Sequence, residues 1–209
     1  MTEITDKHNQ KDTKHKILNA AAEMFARDGF HKVSVREICD AAGVTKPVLY
    51  YYFVDKESLL EELIHETYFH VNELKIKYFS EDDTLDQTLR NIINLYLDFT
   101  HNFPHLLRFS VVVQSTNVPP KIRELKLARY KSELLEFIKI LDAAQNNGLL
   151  NKKYDTKLLA QNFLGTIIMM IAECIIFEDR QSELSDSLNK FVEFWIEQFL
   201  IKKVRSSNL

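Results

Sequence analysis

A short segment near the amino end combines side chains that suit contact with a nucleic acid. Thr45, Lys46 and Pro47 open the segment, and Tyr50 and Tyr51 follow. Lysine ammonium and tyrosine hydroxyl groups donate hydrogen bonds to phosphate oxygens, and polar side chains that enter a groove can reach base edges. Since a short face of lysine and tyrosine is unusual for packing alone, these residue types favour a DNA-contacting surface.

The pattern around this segment predicts two short helices joined by a tight turn. Ser34 and Glu37 have the spacing of a capping box, which would begin the first helix. Gly43 suits the left-handed residue that ends a helix. Thr45 is placed to cap the second helix, and Pro47 is tolerated in its first turn.

The second of these helices is expected to have one buried face and one exposed face. Leu49 and Phe53 are four residues apart, so both can face the neighbouring helices. In helix-turn-helix proteins the second helix enters the major groove and its first residues meet base edges. Thr45, Lys46 and Pro47 occupy that position here.

These residues resemble the tetracycline-repressor (TetR) family of bacterial transcriptional regulators. The resemblance extends from Ile17 to Ile64 and involves five segments in a fixed order, namely Phe25 to Phe30, Ser34 to Ile38, Ala42 to Thr45, Leu49 to Phe53 and Lys56 to Leu60. It implies a repressor that leaves its near-palindromic operator when a small molecule enters the helical body.

The resemblance also assigns eight residues to a DNA site, position by position. Arg36 and Lys46 are expected at base edges, whereas Pro47 and Tyr51 would make apolar or thymine-methyl contacts. Phosphate contacts are expected from Ser34, Thr45, Tyr50 and Lys56. The alternatives are a solvated surface lysine at Lys46 and a surface ion pair at Arg36.

Length and composition predict an all-α protein of about nine helices. The chain has 209 residues, of which 45% are hydrophobic, with only 4 Gly and 4 Pro. We expect a disordered arm over residues 1–11, whose alternative role is minor-groove contact. A three-helix DNA-binding head would follow over 12–56, and a ligand-binding and dimerisation domain over 57–209.

Charge and cysteine usage are consistent with a reduced, cytoplasmic DNA-binding protein. The net charge of the chain is −3, but residues 7 to 56 contain nine basic and six acidic side chains. Cys39 and Cys174 belong to no metal or redox spacing. The polar amino end has no signal core. The apolar run from Phe163 to Phe177 is interrupted by Glu173 and is shorter than the ~20 residues of a membrane span.

The last two helices predict a homodimer. Apolar residues occupy nearly every face between Phe163 and Phe177, and the final helix is also broadly apolar. Such a hairpin fits a four-helix interface between two copies, in which Gly165 permits close approach. Burial within one large monomer is the alternative.

The effector is expected to be a small hydrophobic molecule. Candidate pocket residues are mostly aromatic or methionine, namely Tyr96, Phe99, Phe103, Met169, Met170 and Glu173. Plain core packing is the alternative for the apolar members. Glu173 would meet a cationic ligand or, alternatively, lie in solvent or pair within its helix.

Two other functions are alternatives to a ligand-released repressor. An enzyme would need a nucleophile and base, clustered metal ligands or a glycine-rich phosphate loop, and the sequence offers none of these. We therefore expect no catalytic residues, no metal and no cofactor. A DNA-binding or architectural factor without a small-molecule effector is the remaining alternative.

Overall fold

The computed structural model describes residues 2–115, 118–177 and 182–201, with the side chains of 12–112, 118–177 and 182–201. Over these residues the chain folds into nine helices in succession, which confirms the predicted all-α fold. Their bounds are α1 Thr2–Asp28, α2 Val35–Ala42, α3 Lys46–Tyr52, α4 Lys56–Tyr78, α5 Leu85–Asn102, α6 Pro104–Ser115, α7 Pro120–Asn146, α8 Thr156–Ile176 and α9 Leu184–Phe199.

The first helix begins earlier than the sequence pattern predicts. Residues 1–11 are expected to form a disordered arm, whereas α1 already begins at Thr2, and Met1 lies outside the described residues. The chain has no Gly or Pro before Gly29, so no residue interrupts the helix. Gly29 takes a left-handed φ of 83° just after the helix ends.

Contacts between residues divide the chain into two compact units. The first contains Met1–Glu73 and Phe99–Lys126, and the second contains Leu74–Asp98 and Leu127–Leu209. This division differs from the predicted boundary after residue 56 because α6 packs against α1 and therefore belongs to the first unit. The boundary between DNA-binding and ligand-binding functions stays a prediction.

The core of the first unit supports the helix-turn-helix segment. Ile17, Ala21 and Phe25 of α1 are fully buried, as their spacing of four residues predicts. α1 packs against α2, and α2 packs against α3. Ile38 of α2 is fully buried as well. Burying such a side chain contributes roughly 1.5–3 kcal/mol, so the apolar stripe of α1 supports α2 and, through it, α3.

The second unit is centred on the packing of α8 against α9. The rings of Phe163 and Trp195 meet edge to face with centroids 5.3 Å apart. Beyond α9, Leu200 forms an isolated antiparallel bridge with Leu150 in the connection between α7 and α8. This bridge holds the chain after the last helix against the second unit.

Helix α8 is long and apolar enough to cross a membrane by length and composition alone. The prediction that no segment would reach this length considered only the run after Phe163, whereas the helix begins at Thr156. One stripe of α8 is buried, including Leu159, Phe163 and Ile167, and this stripe packs within the second unit. Core helices of soluble proteins meet the same criterion, which makes this weak evidence for a membrane span.

Candidate nucleic-acid interface

Ser34 and Glu37 form the predicted capping box at the start of α2. The Glu37 backbone N–H donates to Ser34 Oγ at 3.2 Å, and the Ser34 N–H donates to Glu37 Oε2 at 2.8 Å. The bonds from Ser34 hold the pKa of the Glu37 carboxyl below its ordinary value.

The turn between α2 and α3 follows the predicted glycine chemistry. Gly43 has a left-handed φ of 67°, and the Val44 N–H donates to the Cys39 carbonyl at 3.0 Å. Thr45 occupies the N-cap position of α3 with extended backbone, but its side chain makes no capping hydrogen bond. Thr45 therefore lies at the predicted cap position, but its side chain does not form the capping hydrogen bond.

Helix α3 has the two faces that the sequence predicts. Leu49 is fully buried and Phe53 nearly so, and these side chains fix the helix to the core. The opposite face is exposed, with Tyr50 at 50% and Tyr51 at 70% of full exposure. Three further predicted contact residues are also exposed, namely Thr45, Lys46 and Pro47.

Arg36 lies on the exposed side of α2 with a weak partner. Its Nε is 3.8 Å from Asp40 Oδ2, and the Arg36 side chain is 80% exposed. Ion pairs of this kind contribute about 0–1 kcal/mol because water and salt screen them. The guanidinium can therefore exchange Asp40 for a base edge or phosphate at little cost.

Lys56 differs from the other predicted phosphate contacts. Its Nζ donates to the carbonyls of Phe30 and Val33, both at 2.8 Å, and lies 4.4 Å from the centroid of the Phe30 ring. Partial burial lowers the pKa of this ammonium. The side chain is thus bound within the protein, a contact between distant residues that helix spacing could not predict.

Val48 is a candidate contact that the predicted set omits. It is exposed on α3, one turn before Tyr51. Residues three and four apart on a helix lie on the same face, so Val48 extends the surface of Pro47 and Tyr51. The spacing of three residues between Val48 and Tyr51 is the sequence pattern that could have predicted this contact. The branched methyl groups of Val48 suit a thymine methyl.

The predicted effector residues do not form one pocket within either unit. Met169, Met170 and Glu173 line an open groove of about 440 Å³ on α8, together with Gln161, Asn162, Gly165 and Thr166. Met169 is 62% exposed, because this part of the α8 surface faces away from the buried stripe. The groove is a surface feature rather than an enclosed cavity.

The aromatic members of that set lie elsewhere. The Phe99 and Phe103 rings are 5.5 Å apart in the first unit, where Phe103 also stacks on His70 with centroids 4.0 Å apart. Tyr96 belongs to the second unit but does not line the α8 groove. The residue types were suitable for an effector pocket. Their positions on separate helices, however, could not show which of them lie together in the folded chain.

Comparisons with known proteins place the helix-turn-helix segment in a family. Residues 17–63 match the family model described as bacterial regulatory proteins, tetR family. The HTH-type transcriptional regulator UidR of Escherichia coli (strain K12) is 40% identical over 52 residues, which are 25% of this chain and 26% of that protein. The chain thus spans about a quarter of the length of such relatives.

Longer matches cover both units at lower identity. The fatty acid metabolism regulator protein of Bacillus subtilis (strain 168) is 25% identical over 195 residues, or 90% of this chain and 96% of that protein. The crystal structure of the transcriptional regulator FadR from Bacillus subtilis in complex with stearoyl-CoA superposes with a TM-score of 0.71 at 22% identity, covering 87% of this chain and 97% of that one. Residues 17–63 thus match the tetR family of bacterial regulatory proteins, and the longer structural match shows that the two chains share a fold.

Proposed function

We propose that this chain is a homodimeric, sequence-specific DNA-binding regulator that represses transcription and is released from a near-palindromic operator by a small hydrophobic effector. The exposed face of α3 is the observation that carries the proposal. Lys46, Pro47, Tyr50 and Tyr51 project from a helix whose other face is fixed by the buried Leu49. Such a helix can enter the major groove without losing core contacts.

The proposed DNA contacts divide by chemistry. Lys46 and Arg36 would donate to base-edge acceptors, of which guanine O6 and N7 are the most favourable. Pro47, Val48 and Tyr51 would provide apolar contacts to thymine methyl groups. Ser34, Thr45 and Tyr50 would donate to phosphate oxygens, which fix the position of the head on the duplex.

A second copy of the chain would cover the exposed face of α8. Leu158 is 67% exposed there, and Met169 and Ile176 are similarly exposed. A Cβ added at Gly165 would meet nothing within 4 Å, so this position leaves room for a partner helix. Two such faces can pack as an isologous interface, and two heads about 34 to 36 Å apart can read both halves of a palindrome.

Release by a hydrophobic effector is supported by the relatives. One full-length relative is named a fatty acid metabolism regulator, and a protein of the same fold was solved with stearoyl-CoA. We extend this class of ligand to the present chain, which would act in the cytoplasm without a metal or cofactor. The effector would lower operator affinity only through its different affinities for the DNA-bound and free conformations, and operator would weaken effector binding equally.

The test begins with selection of a binding sequence from random duplexes. The purified protein should enrich a near-palindrome and give a discrete footprint on it. Stearoyl-CoA, free stearate, dyes and cationic drugs would then be added separately, and at least one should remove the footprint. A footprint that none of them moves would favour the effector-independent factor, and failure to enrich any sequence would contradict the whole proposal.

A further inference from the structure

We infer that Lys56 is a positioning residue of the DNA site, whose ammonium clasps the two ends of the helix-turn-helix segment instead of binding a phosphate. The inference rests on the proposed function, since it concerns how the base-reading helices are held. It replaces the phosphate contact expected for this residue.

The contacts of Lys56 join distant parts of the chain. Lys56 is the first residue of α4, four residues after the end of α3, and Val33 immediately precedes the N-cap Ser34 of α2. The hydrogen bond from Lys56 Nζ to the Val33 carbonyl therefore closes a loop across 23 positions that contains both α2 and α3. A second bond reaches Phe30, where the chain leaves α1.

The surroundings of the ammonium favour a fixed position. It lies over the Phe30 ring, whose side chain is buried in the core of the first unit. Hydrogen bonds from a charged donor to carbonyls, together with a cation–π contact, are stronger than most exposed interactions. Moving the ammonium to a phosphate would leave two carbonyls without this donor, so the side chain gains little by leaving.

The clasp has a direct consequence for reading DNA. Arg36 lies three residues after Val33, whose carbonyl Lys56 binds, and Lys46 lies on α3 inside the closed loop. Without Lys56, the two hydrogen bonds that join the start of α4 to the segment before α2 are lost. The tilt of α2 and α3 would then vary, and base contacts need closely held geometry.

The test compares Lys56→Met with Lys131→Met in the full-length protein, on the operator selected by the wild type. Met retains an apolar stem but removes the charge, and the exposed Lys131 on α7 controls for that loss of charge. For Lys56→Met we expect binding weaker by about tenfold or more, from the loss of charged hydrogen bonds. Its base preference should broaden, and the slope of log affinity against log salt should equal that of the control.

Two results would overturn the inference. A salt slope reduced by about 0.9 for each head would mean that Lys56 had been neutralising a phosphate. A lower melting temperature with unchanged affinity and base preference, measured well below unfolding, would mean that the clasp serves stability alone.

If Lys56→Met does not fold, the wild type provides a separate readout by NMR. The ammonium nitrogen resonance of Lys56 should keep its position when operator is added, and a shift would contradict the clasp. If the wild type itself selects no operator, the proposed function fails, which is distinct from any result for Lys56.

Discussion

His15 of α1 lies with its Nδ1 3.0 Å from Oε1 of Glu66 on α4, which links the helix before the helix-turn-helix segment to the helix that follows it. The other oxygen of Glu66, Oε2, is buried and has no hydrogen-bond partner among the described residues. Glu66 also acts electrostatically on His105 of α6. Helices α1, α4 and α6 therefore share one polar cluster in the first unit.

This cluster predicts a pH-dependent stability. Burial lowers the pKa of His105 below the ordinary 6.5, an effect only partly opposed by Glu66 and Glu23. The unfolded chain then binds more protons than the native protein, so the free energy of unfolding falls as pH drops below about 6.5. His105→Gln should flatten this decline in urea unfolding between pH 7.5 and 5.5. His101→Gln, at an exposed position, should leave it unchanged, and an equal decline in all three proteins would exclude His105 as its source.

Lys46→Ala should relax base preference at one position of each half-site. Losing a base-edge contact costs ~1–3 kcal/mol of discrimination, because lysine at the start of α3 would donate to a base acceptor. The selection is repeated with the variant and with Lys131→Ala as a charge control. An unchanged base profile for Lys46→Ala would mean that Lys46 is a solvated surface residue.

Gly165 offers a test of the second copy on α8. Gly165→Ala should raise the free energy of unfolding of the monomer by about 0.5–1 kcal/mol, since Gly is unfavourable within a helix. The added Cβ meets nothing within 4 Å in the chain. Gly165→Glu should instead dissociate a dimer, because it places like charges at a closely packed interface. Sedimentation velocity measures the change. Lys157→Glu, exposed on the same helix but outside the groove, is the control, and a Gly165→Glu variant that sediments like the wild type would argue against this interface.

Ser34→Ala should destabilise the first unit by about 0.5–2 kcal/mol through loss of the N-cap. The Glu37 N–H would lose its acceptor, and Glu37 would keep only its bond from the backbone of residue 34. Thermal unfolding followed by circular dichroism measures the loss. Ser185→Ala, at an exposed position in the first turn of α9, should change the midpoint less, and equal effects would contradict the importance of the cap.

The sequence predicted those features that depend on neighbouring residues. The capping box of Ser34 and Glu37, the left-handed Gly43 and the buried Leu49 all follow from local spacing, and the structure has each of them. Lys56 shows where such reasoning ends. Its carbonyl partners are 23 and 26 positions away, so no periodic pattern contains them.

The same limit explains the predicted effector site. Residue types identified Met169 and Phe103 as suitable for an apolar pocket, but spacing within one helix does not show where that face lies in the fold. The structure places Met169 at an open groove and Phe103 against His70. The predicted arm over residues 1–11 is helical from Thr2, because polar composition does not prevent a helix that contains no Gly or Pro.

The most direct measurement of the central claim is a footprint of the wild-type protein on its selected duplex, with stoichiometry determined on the same complex. We predict two protomers on a near-palindrome whose halves are one turn of DNA apart, about 34 to 36 Å. A single bound protomer, or protection without sequence preference at physiological salt, would contradict the account.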